Sequence, residues 1–229
     1  MTGLRTLHIT AAVLSAIGVA GCSSATRGGS QASVQPLVVP RPDASSIALA
    51  RADSVRHPYT DADVHFMSGM IGHHAQAIVM ANWAPTHAAS PSVQRLADRI
   101  INAQKDEIVT MQRWLGDRLK PVPEADPEGM KMTMGGVEHM MLMPGMLTDA
   151  QMKQLDQARG PEFDRLFLRF MIQHHRGAVS MVKDLFDSWG AGQDETVFKF
   201  ASDVNVDQST EIDRMEKMLV ALTFGVESP

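Results

Sequence analysis

The stretch "MIGHHAQAIVM", Met70 to Met80, returns as "MIQHHRGAVSM", Met171 to Met181, 101 residues further along the chain. A second pair follows: "QKDEIVTM", Gln104 to Met111, matches "QSTEIDRM", Gln208 to Met215, at an offset of 104. The difference between the two offsets falls between the blocks, in a turn, where insertions are tolerated. Each half of the chain therefore carries one helix with Met-x-x-His-His and one with Gln-x-x-Glu-Ile-x-x-Met.

Start and stop signals support that reading. Thr60 with Asp63 forms a capping box, and the helix it opens runs to about Trp83. "APTHAASP" reads as a turn. Ser90 caps a second helix with Pro91 in its first position, running to about Leu119, where "KPVPEADP" stops it. Thr148 and Gln151 open a short helix to about Ala158. Pro161 starts a third long helix ending near Trp189, and the fourth spans about Asp194 to Thr223. No segment shows strand alternation joined by hairpin turns. The expected fold is all-α: an antiparallel four-helix bundle built from two repeated helical hairpins, residues 61–119 and 161–223, joined by a Met-rich linker, 120–160.

The regions before the bundle domain, 58–225, read differently. Arg5 followed by a small, apolar stretch to Ala20 is too short for a membrane span and reads as a signal peptide, residues 1–21. "VAGC", Val19 to Cys22, resembles a bacterial lipobox, which makes Cys22, the single cysteine, the lipidation site. An anchor with more than one acyl chain holds stably to a membrane. Residues 22–57, rich in Ser, Ala, Gly and Pro, read as a flexible tether, with room for a short helix near Ser46–Arg56. The expected location is the bacterial cell envelope, facing out of the cytoplasm.

Composition removes several classes of function. The formal charge of -5 gives no support for nucleic-acid binding. With its one cysteine in the lipobox, the chain has no cysteine nucleophile and no intramolecular disulfide. Glu-x-x-His, needed twice by ferritin-like di-iron sites, is absent, as are His-Glu-x-x-His and phosphate loops.

What remains is soft-metal chemistry. At about 100° per residue, His73 and Met80 share one flank of the first helix and His74 and Met67 the other, with Met70 between them. Met171, His174, His175 and Met181 repeat the pattern. Glu107 and Met111, like Glu211 and Met215, project from one side of the partner helices. Thioethers select Cu(I), and imidazole serves either copper ion. A second ligand group lies in "GMKMTMGGVEHMMLMPGM", residues 129–146, with Met130, Met132, Met134, His139, Met143 and Met146 as candidates. The same residues have ordinary alternatives. A Met stripe packs a core, and each Glu can hydrogen-bond a neighbouring His to satisfy it.

The paired "MIxHHxxA" and "QxxEIxxM" blocks, with "MPGMLT" and "GPEFDRLFL" between them, resemble the domain-of-unknown-function 305 family over roughly Asp61 to Leu222. That resemblance implies a ferritin-like bundle and, as in some members, copper binding in the periplasm. The reading is a lipid-anchored protein that binds copper, as Cu(I) or Cu(II), or silver, for buffering, delivery or resistance, and is not an enzyme. Its partners are the metal ion and the membrane, with homo-oligomerisation open. A metal-dependent oxidoreductase and a metal-free structural lipoprotein are the alternatives.

Overall fold

The computed structural model describes residues 41–88 and 90–225, without the side chains of Thr133, Met134 and Glu138. The expected signal peptide, Cys22 and most of the expected tether lie outside the described residues. The described part is mostly helical: α1 (Ala44–Arg56), α2 (Asp61–Asn82), α3 (Ala84–His87), α4 (Pro91–Asp117), α5 (Asp149–Gln157), α6 (Pro161–Asp187) and α7 (Glu195–Phe224), with one hairpin, β1 (Met130–Met134) and β2 (Val137–Met141).

Both capping boxes are present in full. Thr60 and Asp63 exchange side-chain and backbone bonds at the start of α2, and Thr148 and Gln151 do so at α5. Two caps also tie helices together. Asp63 Oδ1 accepts from Gly192 N at 2.7 Å, joining the start of α2 to the turn after α6. Asp194 caps α7 and accepts from Trp114 Nε1 at 3.0 Å and Arg118 at 2.5 Å, joining the end of α4 to the start of α7.

The end of the tether is helical where the sequence left room for a short helix: Asp43 accepts from the amides of Ser45 and Ser46 and starts α1. Two sequence expectations need correction. Within the expected turn "APTHAASP", Ala84–His87 form the single helical turn α3. The Met-rich linker contains a β-hairpin, so strand structure is present after all. Gly135 and Gly136 both have positive φ, 61° and 82°, as a two-residue hairpin turn of the mirror-image type requires. The signal was in the sequence: Met130, Met132 and Met134 alternate with polar residues up to that Gly-Gly pair.

Helices α2 and α4 pack along each other, as do α6 and α7, and α2 contacts α6. The two pairs are antiparallel. Tyr59, before α2, meets Trp114 near the end of α4, with ring centroids 5.5 Å apart, and Phe186 near the end of α6 meets Phe198 near the start of α7 at 5.8 Å. Sixteen of the 22 residues of α2 are buried against 13 of 27 in α6, so α2 is the central helix and is covered nearly all round.

The apolar core is divided. One cluster takes Met70 from α2, Ile108 from α4, Ala178 from α6 and Val204 from α7. The other takes Ala77, Ile100, Met171 and Met215 from the same four helices. On α4, α6 and α7 the change from one cluster to the other falls at the polar motif, Gln104 and Glu107, His174 and His175, Gln208 and Glu211; on α2 it falls past His73 and His74, where Ala77 joins the second cluster and Ile78 still belongs to the first. These eight residues form a polar layer between two apolar halves.

Candidate metal centre

All four motif histidines are fully buried. His73 and His174 face each other across the α2–α6 contact with ring centroids 3.7 Å apart. His74 and His175 point outward to the partner helices. His175 Nε2 and Glu211 Oε2 are hydrogen-bonded at 2.8 Å. His74 Nε2 lies 2.6 Å from Glu107 Oε2 but lacks hydrogen-bond alignment. Each glutamate thus sits on the second histidine of the pair in its own half.

The inner pair is poorly satisfied. His73 Nε2 is 3.0 Å from the carbonyl oxygen of Pro144, while His73 Nδ1 and both ring nitrogens of His174 have no hydrogen-bond partner. Nδ1 of His74 and of His175 is also unpartnered. An unmade hydrogen bond on a buried polar atom costs about 1–3 kcal/mol, so this cluster is expensive as pure packing. Burial pushes the pKa of His73 and His174 well below the ordinary imidazole value, and the neighbouring histidines push in the same direction. Neutral imidazole with a free nitrogen is the form that ligates a metal. The inner histidines therefore fit copper by protonation state and by unused donors.

The layer is closed on one side and open on the other. The linker covers the side of His73: Gln76 donates to the carbonyls of Pro127 and Leu147 and accepts from Leu147 N at 2.6 Å. Between α4 and α7 a cavity of about 340 Å³ reaches Gln104, Glu107, Asp207, Gln208 and Glu211, with Arg99 and Arg214 at its edges. Asp207 has its pKa raised, first by burial and then by Glu107, Asp203 and Glu211. Gln104 Oε1 and both amide atoms of Gln208 are buried and unpartnered.

The methionines divide between the clusters. Met70, Met111, Met143, Met146 and Met181 belong to the first, and Met80, Met171 and Met215 to the second. Equivalent residues of the two halves fall on opposite sides of the polar layer. Met130 is half-buried against the first cluster, Met132 is half-buried, Met134 lies on β1 and His139 is exposed on β2. Among the described residues, no group of three or more His, Cys, Asp or Glu side chains is arranged to hold a metal. No described helix is long and apolar enough to cross a membrane.

Sequence reasoning missed several participants. Pro144 contributes a carbonyl, which no side-chain pattern marks. Gln76 and Gln173 hold the linker and occupy motif positions that differ between the halves. Asp207 has Ala103 as its repeat counterpart, so the repeat gave it no signal. His65 and Met141 line a cleft described below and lie outside both repeated blocks.

The family model described as "Domain of unknown function (DUF305)" matches residues 63–219. Among solved structures, the chain is similar to a DUF305 protein from Streptomyces coelicolor designated as secreted: 31% identity, 73% of this chain and 96% of that one, TM-score 0.59. A DUF305 fragment from Deinococcus radiodurans matches at 28% identity over 70% of this chain and 97% of its own, TM-score 0.58. CopM in the Cu(II)-bound form matches at 31% identity over 69% and 95%, TM-score 0.53, and its Cu(I)- and Ag-bound forms match similarly. A 56-residue segment is 38% identical to uncharacterized protein L153 of Acanthamoeba polyphaga mimivirus, and the chain spans only 37% of that curated relative.

Proposed function

The chain belongs to the DUF305 family, and from that premise we propose that it is an extracytoplasmic, lipid-anchored protein that binds copper or silver through His and Met ligands. The observation that carries the proposal is the buried His73–His174 pair with three unpartnered ring nitrogens. Similarity to CopM structures holding Cu(II), Cu(I) and Ag supports the choice of metal. Similarity to a protein designated as secreted supports the location, and the lipobox at Cys22 supplies the anchor. The proposed architecture is a ferritin-like four-helix bundle of two repeated hairpins. The crossed placement of Met70 and Met171, Met80 and Met181, and Met111 and Met215 about the polar layer supports it.

In this reading His73 and His174 hold the metal, with His74 and His175 kept in orientation by Glu107 and Glu211. Copper supplies a redox-active ion as cargo, and the proposed role is binding rather than turnover: buffering, delivery or resistance. Anaerobic titration with Cu(I) against a competing chelator, with parallel Cu(II) and Ag(I) titrations, tests it. Wild type should bind tightly. The His73→Ala/His74→Ala double variant should lose the tight site shared by His73 and His174 while keeping helicity, since Ala is the stronger helix former. Unchanged stoichiometry and affinity in that variant would favour a structural role for the histidines. Cys22→Ser should move the protein from the membrane to soluble or unprocessed fractions.

A further inference from the structure

A cleft of about 250 Å³ opens beside the linker, apart from the polar layer. It is lined by His65 and Phe66 from α2, Met141 from the end of β2, Met143 from the following loop, and Met181 and Asp184 from α6. We propose that His65, Met141, Met143 and Met181 form a separate capture site for a soft monovalent cation, Cu(I) or Ag(I). The proposal rests on the soft-metal reading above and deepens it by naming where such an ion first binds.

Three neutral thioethers and one imidazole are a donor set for a soft ion and a poor one for Cu(II) or a hard divalent cation. The donors come from three separate segments, α2, the linker and α6, so the cleft exists only in the folded chain. His65 is exposed on a helix otherwise buried nearly all round. Met141 is 39% exposed, whereas Met143 and Met181 are 6% exposed and form the wall. Asp184 places a carboxylate on the solvent-facing rim, where it favours approach of a cation.

The loop is also held in a defined position. Met143 N donates to Met146 Sδ at 3.3 Å, so the Met146 sulfur already has a partner within the chain. The Met143 side chain lies over Gly69, where an added Cβ would come 2.6 Å from its Cε. Gly69 therefore lets Met143 reach the cleft. The four donors are distinct from the His73–His174 pair, so the two sites can be tested independently.

The test uses the mature chain with ¹³C-methyl-labelled Met and silver nitrate as the probe, repeated anaerobically with Cu(I). Substoichiometric Ag(I) should shift the ε-methyl signals of Met141, Met143 and Met181 together. His65→Ala and Met141→Leu should each weaken one Ag(I) site by about tenfold or more, the scale on which removing a supporting group lowers metal affinity, while Cu(II) binding is unchanged. Met→Leu nearly conserves volume and His65 is exposed, so both variants should melt as wild type does. Ag(I) binding that leaves those three methyl signals unmoved would overturn the cleft site and leave the function proposed above standing. A wild-type chain that binds none of Ag(I), Cu(I) and Cu(II) would overturn both.

Discussion

The two His-His helices share Met, Ile, His and His in register, yet they exchange two other residues. In α2 the motif reads Gly72-His73-His74-Ala75-Gln76; in α6 it reads Gln173-His174-His175-Arg176-Gly177. Glycine and glutamine have changed places. The linker runs over both helices and meets them at these positions. An added Cβ on Gly72 would lie 2.7 Å from the Gly129 carbonyl oxygen, and one on Gly177 would overlap the Pro144 carbonyl. Gln76 and Gln173 hydrogen-bond linker backbone on either side of those contacts. The repeated residues build a symmetric polar layer; the exchanged ones fit an asymmetric strap to it.

The largest test of that comparison is Gly177→Ala. An exposed helix would gain about 1 kcal/mol from the change. Here the new methyl must displace Pro144 and Gly145, and Gly145, at φ 80°, itself faces Gly177 closely. A net loss of about 3 kcal/mol or more is expected, at or above the upper end for overpacking. Gly72→Ala, with a less severe overlap, should lose about 1–3 kcal/mol. Urea denaturation of both variants gives the difference. If Gly177→Ala is as stable as wild type, the strap is not fixed against α6.

The glutamines come next. Gln76 is buried and makes three linker bonds, including acceptance from Leu147 N, whereas Gln173 is half-buried and bonds Gly145 O at 3.3 Å and Gln151 at 3.2 Å. Replacing Gln76 with Leu strands one amide and two carbonyls and should cost about 2–3 kcal/mol. Gln173→Leu should cost about 1 kcal/mol or less. Equal costs in the same denaturation assay would mean that the linker bears on both helices alike.

What could be read from sequence follows the same division. The repeat located the long helices, and two capping boxes set the starts of α2 and α5, because both signals are local and periodic. His73, His74, His174 and His175 were found because they recur. Pro144 O, Gln76 and Asp207 were not, since each depends on which backbone or charge lies opposite after folding. In the Met-rich segment the composition outweighs the alternation, so its strands are hard to read from sequence. In the folded chain, its Gly-Gly turn sets the strand register Met132 to His139. His65 and Met181, 116 positions apart in the chain, meet at one cleft only through the α2–α6 contact.

A pH-dependent effect concerns the inner histidines in the metal-free protein. Burial lowers the pKa of both His73 and His174. The titratable groups around them are each other, His74 and His175, with Glu107 and Glu211 behind those, and the Pro144 carbonyl faces His73 alone. Since the unfolded chain then binds more protons, stability is full above the unfolded value of about 6.5 and falls as pH drops below it. For two such groups the loss between pH 7 and pH 6 should be about 1.4 kcal/mol. Each of His73→Gln and His174→Gln should remove part of this dependence. His174 should account for the larger part, because the Pro144 carbonyl favours the protonated form of His73 in addition to the contact that the two histidines share. Urea midpoints from pH 5.5 to 8 measure it. A flat profile in wild type would mean that the buried pair keeps its protons on folding, and equal slopes in the two variants would mean that the Pro144 contact does not separate the halves.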